Sequence, residues 1–444
     1  MSDTIFALAT PPGRAALAVV RCSGPESSVI LRAVAGPLPL PRRATVRRLR
    51  ERPGGEVFDE ALILWFAGPA SFTGEDAFEL HLHGGSATVV AATHALSNLG
   101  ARFAEPGEFS KRAFQAGKLS LVQAEAVADL VDAESDAQRR QALDQLGGAL
   151  DTIHSEWRAK LIEVAALLEA QVDFPDEDLP ETLATAGAAI QSLAEDMQMG
   201  ELSRRGEQVR EGFRIALIGA PNAGKSSLLN AMLGRDAAIV TSVPGTTRDV
   251  IEAPLMIAGY KVLIADTAGL RSTNDIIEAE GVRRARAWAD AADLRLLVLD
   301  GSARRSDDHE LATALKEGDL VLVSKSDLPI VDGPGEQSLA PSIQTLSVSV
   351  VDGTGLESLR ERLEVLIVGR LSGSDFPVVT RARHRYQLNA ATAALAAAIE
   401  GLTLGPELAA EDVRRASQAL RAIVGEVGVD DVLGEVFETF CIGK

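Results

Sequence analysis

Residues 213–225 read Phe-Arg-Ile-Ala-Leu-Ile-Gly-Ala-Pro-Asn-Ala-Gly-Lys, and Ser226 follows. Ile215, Leu217 and Ile218 make a short apolar run of strand type. Gly219-Ala-Pro-Asn-Ala-Gly224-Lys225-Ser226 then fits G-x-x-x-x-G-K-[ST]. Residues 227–233 read as the opening of a helix. Strand, glycine loop and helix N-terminus are the setting in which backbone N–H groups turn inward onto a phosphate and the helix dipole adds positive potential. In that setting Lys225 reaches the β- and γ-phosphates and the Ser226 hydroxyl ligates Mg²⁺. Asn222, Ala223, Gly224 and Ser227 complete the cradle.

Working outward, the next motif is Pro244-Gly245-Thr246-Thr247-Arg-Asp249. A threonine in a loop there can close on Mg²⁺ and the γ-phosphate. Residues 261–265 read as a strand ending in Asp266-Thr267-Ala268-Gly269. The Asp266 carboxylate holds Mg²⁺ through water, and the Gly269 N–H meets the γ-phosphate. Residues 294–299 and 320–323 are two more apolar strands, the second ending in Ser324-Lys325-Ser326-Asp327. A carboxylate at 327 accepts both N1–H and N2–H₂ of guanine, a pattern adenine lacks. Residues 345–350 give a last strand, with Ser349 and Val350 at its end, before a helix from Leu356. Each motif alone is weak; four in this order at strand ends define a guanine-nucleotide-binding α/β domain. Two details depart from the Ras-like pattern. Leu270 stands where the water-orienting glutamine is usual, so hydrolysis needs another group. Ser324 stands where asparagine is usual, and its shorter hydroxyl lowers the expected affinity for guanine.

The 444 residues suffice for about three domains. The chain is 46% hydrophobic but only 4% aromatic, which predicts a core of Ala, Leu and Val. No apolar run reaches membrane-spanning length and the start carries no basic-then-apolar leader, so a cytoplasmic protein without membrane contact is expected. Two distant cysteines, Cys22 and Cys441, imply no disulfide framework. A net charge of −19 argues against a general nucleic-acid coat, though not against a local basic patch. The densest such patch is Arg42, Arg43, Arg47, Arg48, Arg50 and Arg52, read either as a solvated strand edge or as an RNA backbone contact.

Residues 1–117 alternate strand-like runs (16–22, 61–66, 77–83) with turns, and 89–99 reads as a helix closed by Gly100. From Leu119 the period becomes helical, over 119–150 and 153–170. Phe174-Pro-Asp-Glu-Asp-Leu-Pro180 breaks it, and 183–210 resumes it. Residues 380–440 are helical again. Helical stretches on both sides of the nucleotide block predict a G domain (212–370) inserted into a split helical domain (118–211 and 371–444).

The chain ends Phe440-Cys441-Ile-Gly-Lys444. With Gly245-Thr-Thr-Arg-Asp249 and Pro221-Asn222, it closely resembles the tRNA-modification GTPase family MnmE, also called TrmE. Ala9-Thr-Pro-Pro-Gly-Arg14, Ser71-Phe-Thr-Gly-Glu-Asp76, His83-Gly-Gly85, Glu105-Pro-Gly-Glu-Phe-Ser110 and Arg381-Ala-Arg-His384 carry the same likeness. The resemblance covers the whole length. It implies an N-terminal α/β folate-binding and dimerisation domain, a split helical bundle and an inserted Ras-like P-loop G domain. It implies a homodimer and a complex with the FAD-dependent partner MnmG. Together these install an aminomethyl or carboxymethylaminomethyl group at carbon 5 of the wobble uridine of certain tRNAs. A 5-formyl- or 5,10-methylene-tetrahydrofolate supplies the carbon.

The resemblance further implies a K⁺ site at Asn222, Thr241, the Val243 carbonyl and Thr246, and Mg²⁺ ligands at Ser226 and Thr247. The loop Thr241, Ser242, Val243, Pro244, Gly245, Thr246, Thr247 joins the GTP site. Glu278 is implied as the catalytic group that positions water, beside Lys225. Arg21, Glu79, Lys118 and Lys444 are implied as folate ligands, and Cys441 as a functional thiol, though a near-terminal Phe-Cys-Ile also suits packing. His81 and His83 share a strand face but lack a third ligand, so a structural or folate-pocket role is expected over metal binding. Two other readings stay open on the residues alone: a GTP switch that binds RNA or ribosomes without modification chemistry, and a folate module with a degenerate G domain.

Overall fold

The alternation that makes strand 213–218 also sets its two faces. The computed structural model describes residues 3–173, 180–236, 252–266, 288–303, 315–329, 343–426, 436–437 and 440–443. These form two compact units. The first holds Met1–Asp132, Ala142–Met199 and Arg383–Lys444, and the second Ala133–Gln141 and Gly200–Ala382.

In the second unit, β7 (Phe213–Ile218), β8 (Glu252–Ile257), β9 (Tyr260–Asp266), β10 (Leu294–Asp300), β11 (Leu320–Ser324) and β12 (Gln344–Ser347) form one sheet. Its order is β12-β11-β10-β7-β9-β8, with all neighbours parallel except the β8–β9 hairpin. Phe213, Ile215 and Leu217 point to one side, into a core shared with α9 (Lys225–Asp236) and α10 (Leu356–Leu371). Ala216 and Ile218 point to the other, against Leu297, Leu299 and Ala289. Burial on both faces is why these strands read as continuous apolar runs; every residue of β10 is buried. Strand β12 is shorter than the 345–350 expected. Ser349 and Val350 lie in the turn beyond it, where the chain bends back through the Ser349 N–H to Thr354 carbonyl bond (2.9 Å).

The helical run expected over 119–150 is two helices, α4 (Leu121–Asp132) and α5 (Asp136–Leu146), and α6 (Ala149–Asp173) follows after Gly147-Gly148. Ser135 and Gln138 cap the start of α5: the Ser135 hydroxyl accepts from the Gln138 N–H at 3.1 Å, and the Gln138 amide oxygen accepts from the Ser135 N–H at 2.9 Å. Segment Ala133–Gln141 belongs to the second unit, where the Ala137 N–H donates to the Gly259 carbonyl and Lys261 pairs with Glu134 at 2.6 Å. The helix α8 (Arg205–Glu211) lies in that unit as well.

The first unit is built on a sheet of order β3-β4-β5-β2-β1-β6. Its strands are β1 (Ile5–Leu8), β2 (Leu17–Ser23), β3 (Thr45–Arg50), β4 (Val57–Phe66), β5 (Ala77–His83) and β6 (Arg102–Phe103). All pairings are antiparallel except β1–β6. One face is covered by α1 (Ser27–Ala35) and α2 (Ser86–Asn98), burying Ile63, Leu80 and Val20 with Ile30 and Leu96. The opposite face carries Phe109 of α3 (Glu108–Gln115) over Ile5 and Ala7 at the β1 end. The arginine cluster lies on and beside the edge strand β3, where Arg48 faces Glu60 at 3.5 Å. Charged residues on a free edge discourage further strand pairing.

The helices α4, α6, α7 (Pro180–Leu202), α11 (Ala382–Gly401) and α12 (Pro406–Val424) complete the first unit. Their interior holds one charged knot. The Glu125 carboxylate, fully buried, accepts from Arg383 at 2.6 and 2.8 Å and faces His384 Nε2 at 3.1 Å. Arg383 also donates to the Ile423 carbonyl at the end of α12. The nearby cations hold Glu125 far below the usual carboxylate range despite burial.

Candidate functional site

β7 ends at the topological switch point of its sheet, with β9 on one side and β10 on the other. The chain then enters the glycine loop. Gly219 has φ +147° and sits so close to the Val298 carbonyl that a Cβ there would lie 2.2 Å from it. Gly224 has φ +96°, and Asn222 takes the left-handed region at φ +62° without being glycine. The turn therefore needs glycine at both ends, while Asn222 presents an exposed amide at its tip.

Lys225 is the first residue of α9 and only 4% exposed. Its ammonium donates to the Gly219 and Ala220 carbonyls at 2.8 and 2.9 Å, which holds the charge inside the loop's curl. Ser226 is exposed, and its hydroxyl lies 2.5 Å from Asp266 Oδ2 at the end of β9. A hydroxyl and a carboxylate brought together beside a helix N-terminus are hard oxygen donors of the kind Mg²⁺ takes.

The far side of the site is made by β11 and the turn after β12. Lys325 is left-handed at φ +58°, and its ammonium donates to Asp300 Oδ2 at 2.6 Å. That hydrogen bond and charge hold the Asp300 carboxyl low although burial opposes them. The Ser349 hydroxyl accepts from the Val351 and Asp352 N–H groups at 3.2 and 3.4 Å, so its proton goes to Asp327 Oδ1 at 2.7 Å. Asp327 is thereby aimed while staying exposed. The structure thus brings Asn222, Ala223, Gly224, Lys225, Ser226, Ser227, Asp266, Ser324, Lys325, Asp327, Ser349 and Val350 to loops at one end of one parallel sheet. Thr241, Ser242, Val243, Pro244, Gly245, Thr246, Thr247, Thr267, Ala268, Gly269 and Glu278 lie outside the described residues. The role of Asp300 is not evident in the sequence, because an aspartate ending an apolar strand has no motif around it.

In the first unit, β-pairing sets Arg21 opposite Glu79. Arg21 donates to Glu79 Oε1 through Nε and Nη2, at 3.1 and 2.9 Å, and His81 Nε2 faces Oε2 at 3.2 Å. These contacts leave one lone-pair direction of the carboxylate free. The Arg21 guanidinium stacks over Phe72 and Phe109 at 5.9 and 5.8 Å. Lys118 is exposed and comes up beside Gly74, two residues from Phe72. Phe72 has no signal in the sequence beyond its place in 71–76. His83 Nδ1 lies 2.7 Å from Asp59 Oδ1. Among the described residues no cluster of three or more His, Cys, Asp or Glu could hold a metal.

Cys441 is exposed while Phe440 beside it is buried against Leu121, Ala124 and Phe437, so packing falls to the phenylalanine. Ile442 bridges to Pro106, and Gly443 comes close to Leu8 and Ala9. Lys444 lies outside the described residues. Cys22 is buried, and burial pushes its thiol up to about 12.

A phosphate loop at the switch point of a mostly parallel sheet, an Mg²⁺-type oxygen pair and an aimed carboxylate at the base end define a P-loop GTPase fold. Comparison with known proteins narrows this. The family model described as "GTP-binding protein TrmE N-terminus" matches residues 4–118, and "MnmE helical domain" matches 121–441. The tRNA modification GTPase MnmE of Phenylobacterium zucineum is 55% identical over the full length of both chains. Those of Caulobacter vibrioides and Paramagnetospirillum magneticum are 54% and 49% identical, again end to end. The chain belongs to the tRNA modification GTPase MnmE family. Among the described residues no helix is long and apolar enough to cross a membrane.

Proposed function

We propose that this GTPase uses K⁺-stimulated GTP hydrolysis to drive modification of the wobble uridine at carbon 5, acting in the cytoplasm as a homodimer with an FAD-dependent MnmG partner. The observation that carries the hydrolytic half is the Ser226–Asp266 oxygen pair, formed on the same phosphate loop and helix start that carry buried Lys225 and exposed Asn222. Lys225 leaves its loop carbonyls for the β- and γ-oxygens of GTP. Ser226 and Thr247 would hold Mg²⁺, with Asp266 holding it through water, and the ion would supply positive charge beside the phosphates. Asn222, with Thr241, the Val243 carbonyl and Thr246, would hold K⁺, which would supply a fixed positive charge where other GTPases use an arginine. The Gly269 N–H would meet the γ-phosphate, with Thr267 and Ala268 in the same GTP site, and Glu278 would position the attacking water through a bridge in place of the glutamine absent at Leu270. Asp327 selects guanine.

In the first unit, the Glu79 carboxylate would accept from the pterin of a 5-formyl- or 5,10-methylene-tetrahydrofolate. Phe72 offers a ring face, and Arg21, Lys118 and Lys444 attract its glutamate tail. Exposed Leu17, Val46 and Phe72 support pairing of two N-terminal regions through this sheet. Cys441 stays accessible beside the same region's C-terminal anchor. The three-part domain division at 117, 211 and 370 is part of this reading.

The test is GTP turnover in K⁺ against Na⁺ at equal ionic strength, repeated on Asn222→Ala. Turnover should be at least tenfold faster in K⁺, and the variant should lose most of that gain. Equal rates in both salts would remove the cation from the account.

A further inference from the structure

Residue 324 is where this chain departs from the usual base-reading motif, and its surroundings give the departure a meaning. Ser324 ends β11 and is 6% exposed. Its hydroxyl lies 2.6 Å from the Ala223 carbonyl in the phosphate loop and 3.0 Å from the Leu299 carbonyl in β10. Both partners are acceptors, and a serine has one proton to donate, so the two carbonyls share it. The Ser324 carbonyl in turn accepts from the Gly301 N–H at 3.0 Å. A Cβ at Gly224 would come to 3.5 Å from the hydroxyl, which marks how closely loop and strand end approach. Asparagine would bring two N–H donors and a carbonyl to the same place; serine brings one donor, and it is fully engaged with backbone. Asp327, three residues on, is exposed and aimed by Ser349.

We infer that Ser324 is a positioning residue that pins the phosphate loop at Ala223 to the ends of β10 and β11, and that its side chain takes no part in reading the base, which falls to Asp327. This rests on the guanine-nucleotide reading above and specifies how that site divides its work. The loop tie is a single shared hydrogen bond, so nucleotide release is faster than a two-donor side chain at 324 would allow.

The experiment measures GDP and IDP dissociation from the full-length chain by stopped flow, using fluorescent nucleotide analogues. Inosine lacks the N2 amine, so the ratio of GDP to IDP affinity reports base reading by itself. Ser324→Ala should release both nucleotides about tenfold faster, the loss of one hydrogen bond, with the GDP/IDP ratio unchanged. Ser324→Thr restores the hydroxyl and should return dissociation to within about twofold of the parent. Asp327→Ala should collapse the ratio. If Ser324→Ala does not fold, Ser324→Cys keeps the volume with a weaker donor and should give an intermediate rate at the parent ratio. A fall in the GDP/IDP ratio in Ser324→Ala or Ser324→Cys, or unchanged dissociation of both nucleotides, overturns the inference. Failure of the unsubstituted chain to bind guanine nucleotide overturns the GTPase reading instead.

Discussion

The parallel sheet of the second unit and the mostly antiparallel sheet of the first have six strands each, yet they carry functional groups in different places. In the parallel sheet every candidate group lies at or beyond a strand end: Lys225 and Ser226 after β7, Asp266 closing β9, Lys325 and Asp327 after β11, Ser349 after β12. Its central strands β7, β10 and β11 are buried on both faces and have nothing to offer but core. In the antiparallel sheet the groups stand on the strands themselves. Arg21 and Glu79 are paired mid-strand on the face that α1 and α2 leave uncovered. A parallel sheet positions loops, whereas an antiparallel sheet with one open face is itself a surface.

If that contrast holds, changes at one sheet leave the other's ligand untouched. The largest effect belongs to Lys225→Ala, which should cut GTP turnover about 10²–10³-fold while tetrahydrofolate binding, measured by calorimetry, is unchanged. Next comes Glu125→Ala. It strands the buried His384 and the half-buried Arg383 without their carboxylate and should cost about 3–5 kcal/mol in the denaturant unfolding of the first unit, with nucleotide affinity preserved. Glu79→Gln keeps the shape and removes the charge that Arg21 holds. It should weaken tetrahydrofolate binding about tenfold and leave GTP turnover in place.

The smallest effect concerns acid. His154 in α6 is buried edge-on to Trp157, and neither ring nitrogen has a partner among the described residues. Burial, with the positive charges of His384 and Arg383 behind it, pulls its pKa down to about 3. The unfolded chain takes up that proton near pH 6.5, so unfolding gains a proton between about 6.5 and 3. Stability therefore falls as pH drops through this window, and below about 4.5 the depressed Glu125 adds to the fall. His154→Leu should flatten the pH dependence of the unfolding free energy between pH 6 and 5 by up to ~1.4 kcal/mol per unit.

The same contrast explains what could be read in advance. Strands β7, β9, β10 and β11 and the loops after them were legible because burial on both faces leaves apolar runs, and phosphate or base contacts leave glycines and carboxylates at fixed offsets. On residues alone, Arg21 and Glu79 look like ordinary strand charges, since only register brings them together. Strand β3 was legible only as one of two readings of its arginine cluster, because an exposed edge strand has little apolar alternation to show. The break between α4 and α5 does carry a local mark, the Ser135-x-x-Gln138 capping pair, but the apolar period running through 119–150 does not register it. The Glu125, Arg383 and His384 knot joins residues more than 250 positions apart, which no local pattern reports.

The central claim is that a guanine nucleotide sits at the C-terminal end of the parallel sheet with Asp327 selecting the base. Asp327→Asn tests it most directly, because it exchanges an acceptor pair for an amide that suits the 2-carbonyl of xanthine. In nucleotide-binding titrations the variant should lose about 10²–10³-fold in GTP affinity and bind XTP in its place. Unchanged GTP binding, or a gain for ATP instead of XTP, would contradict the account.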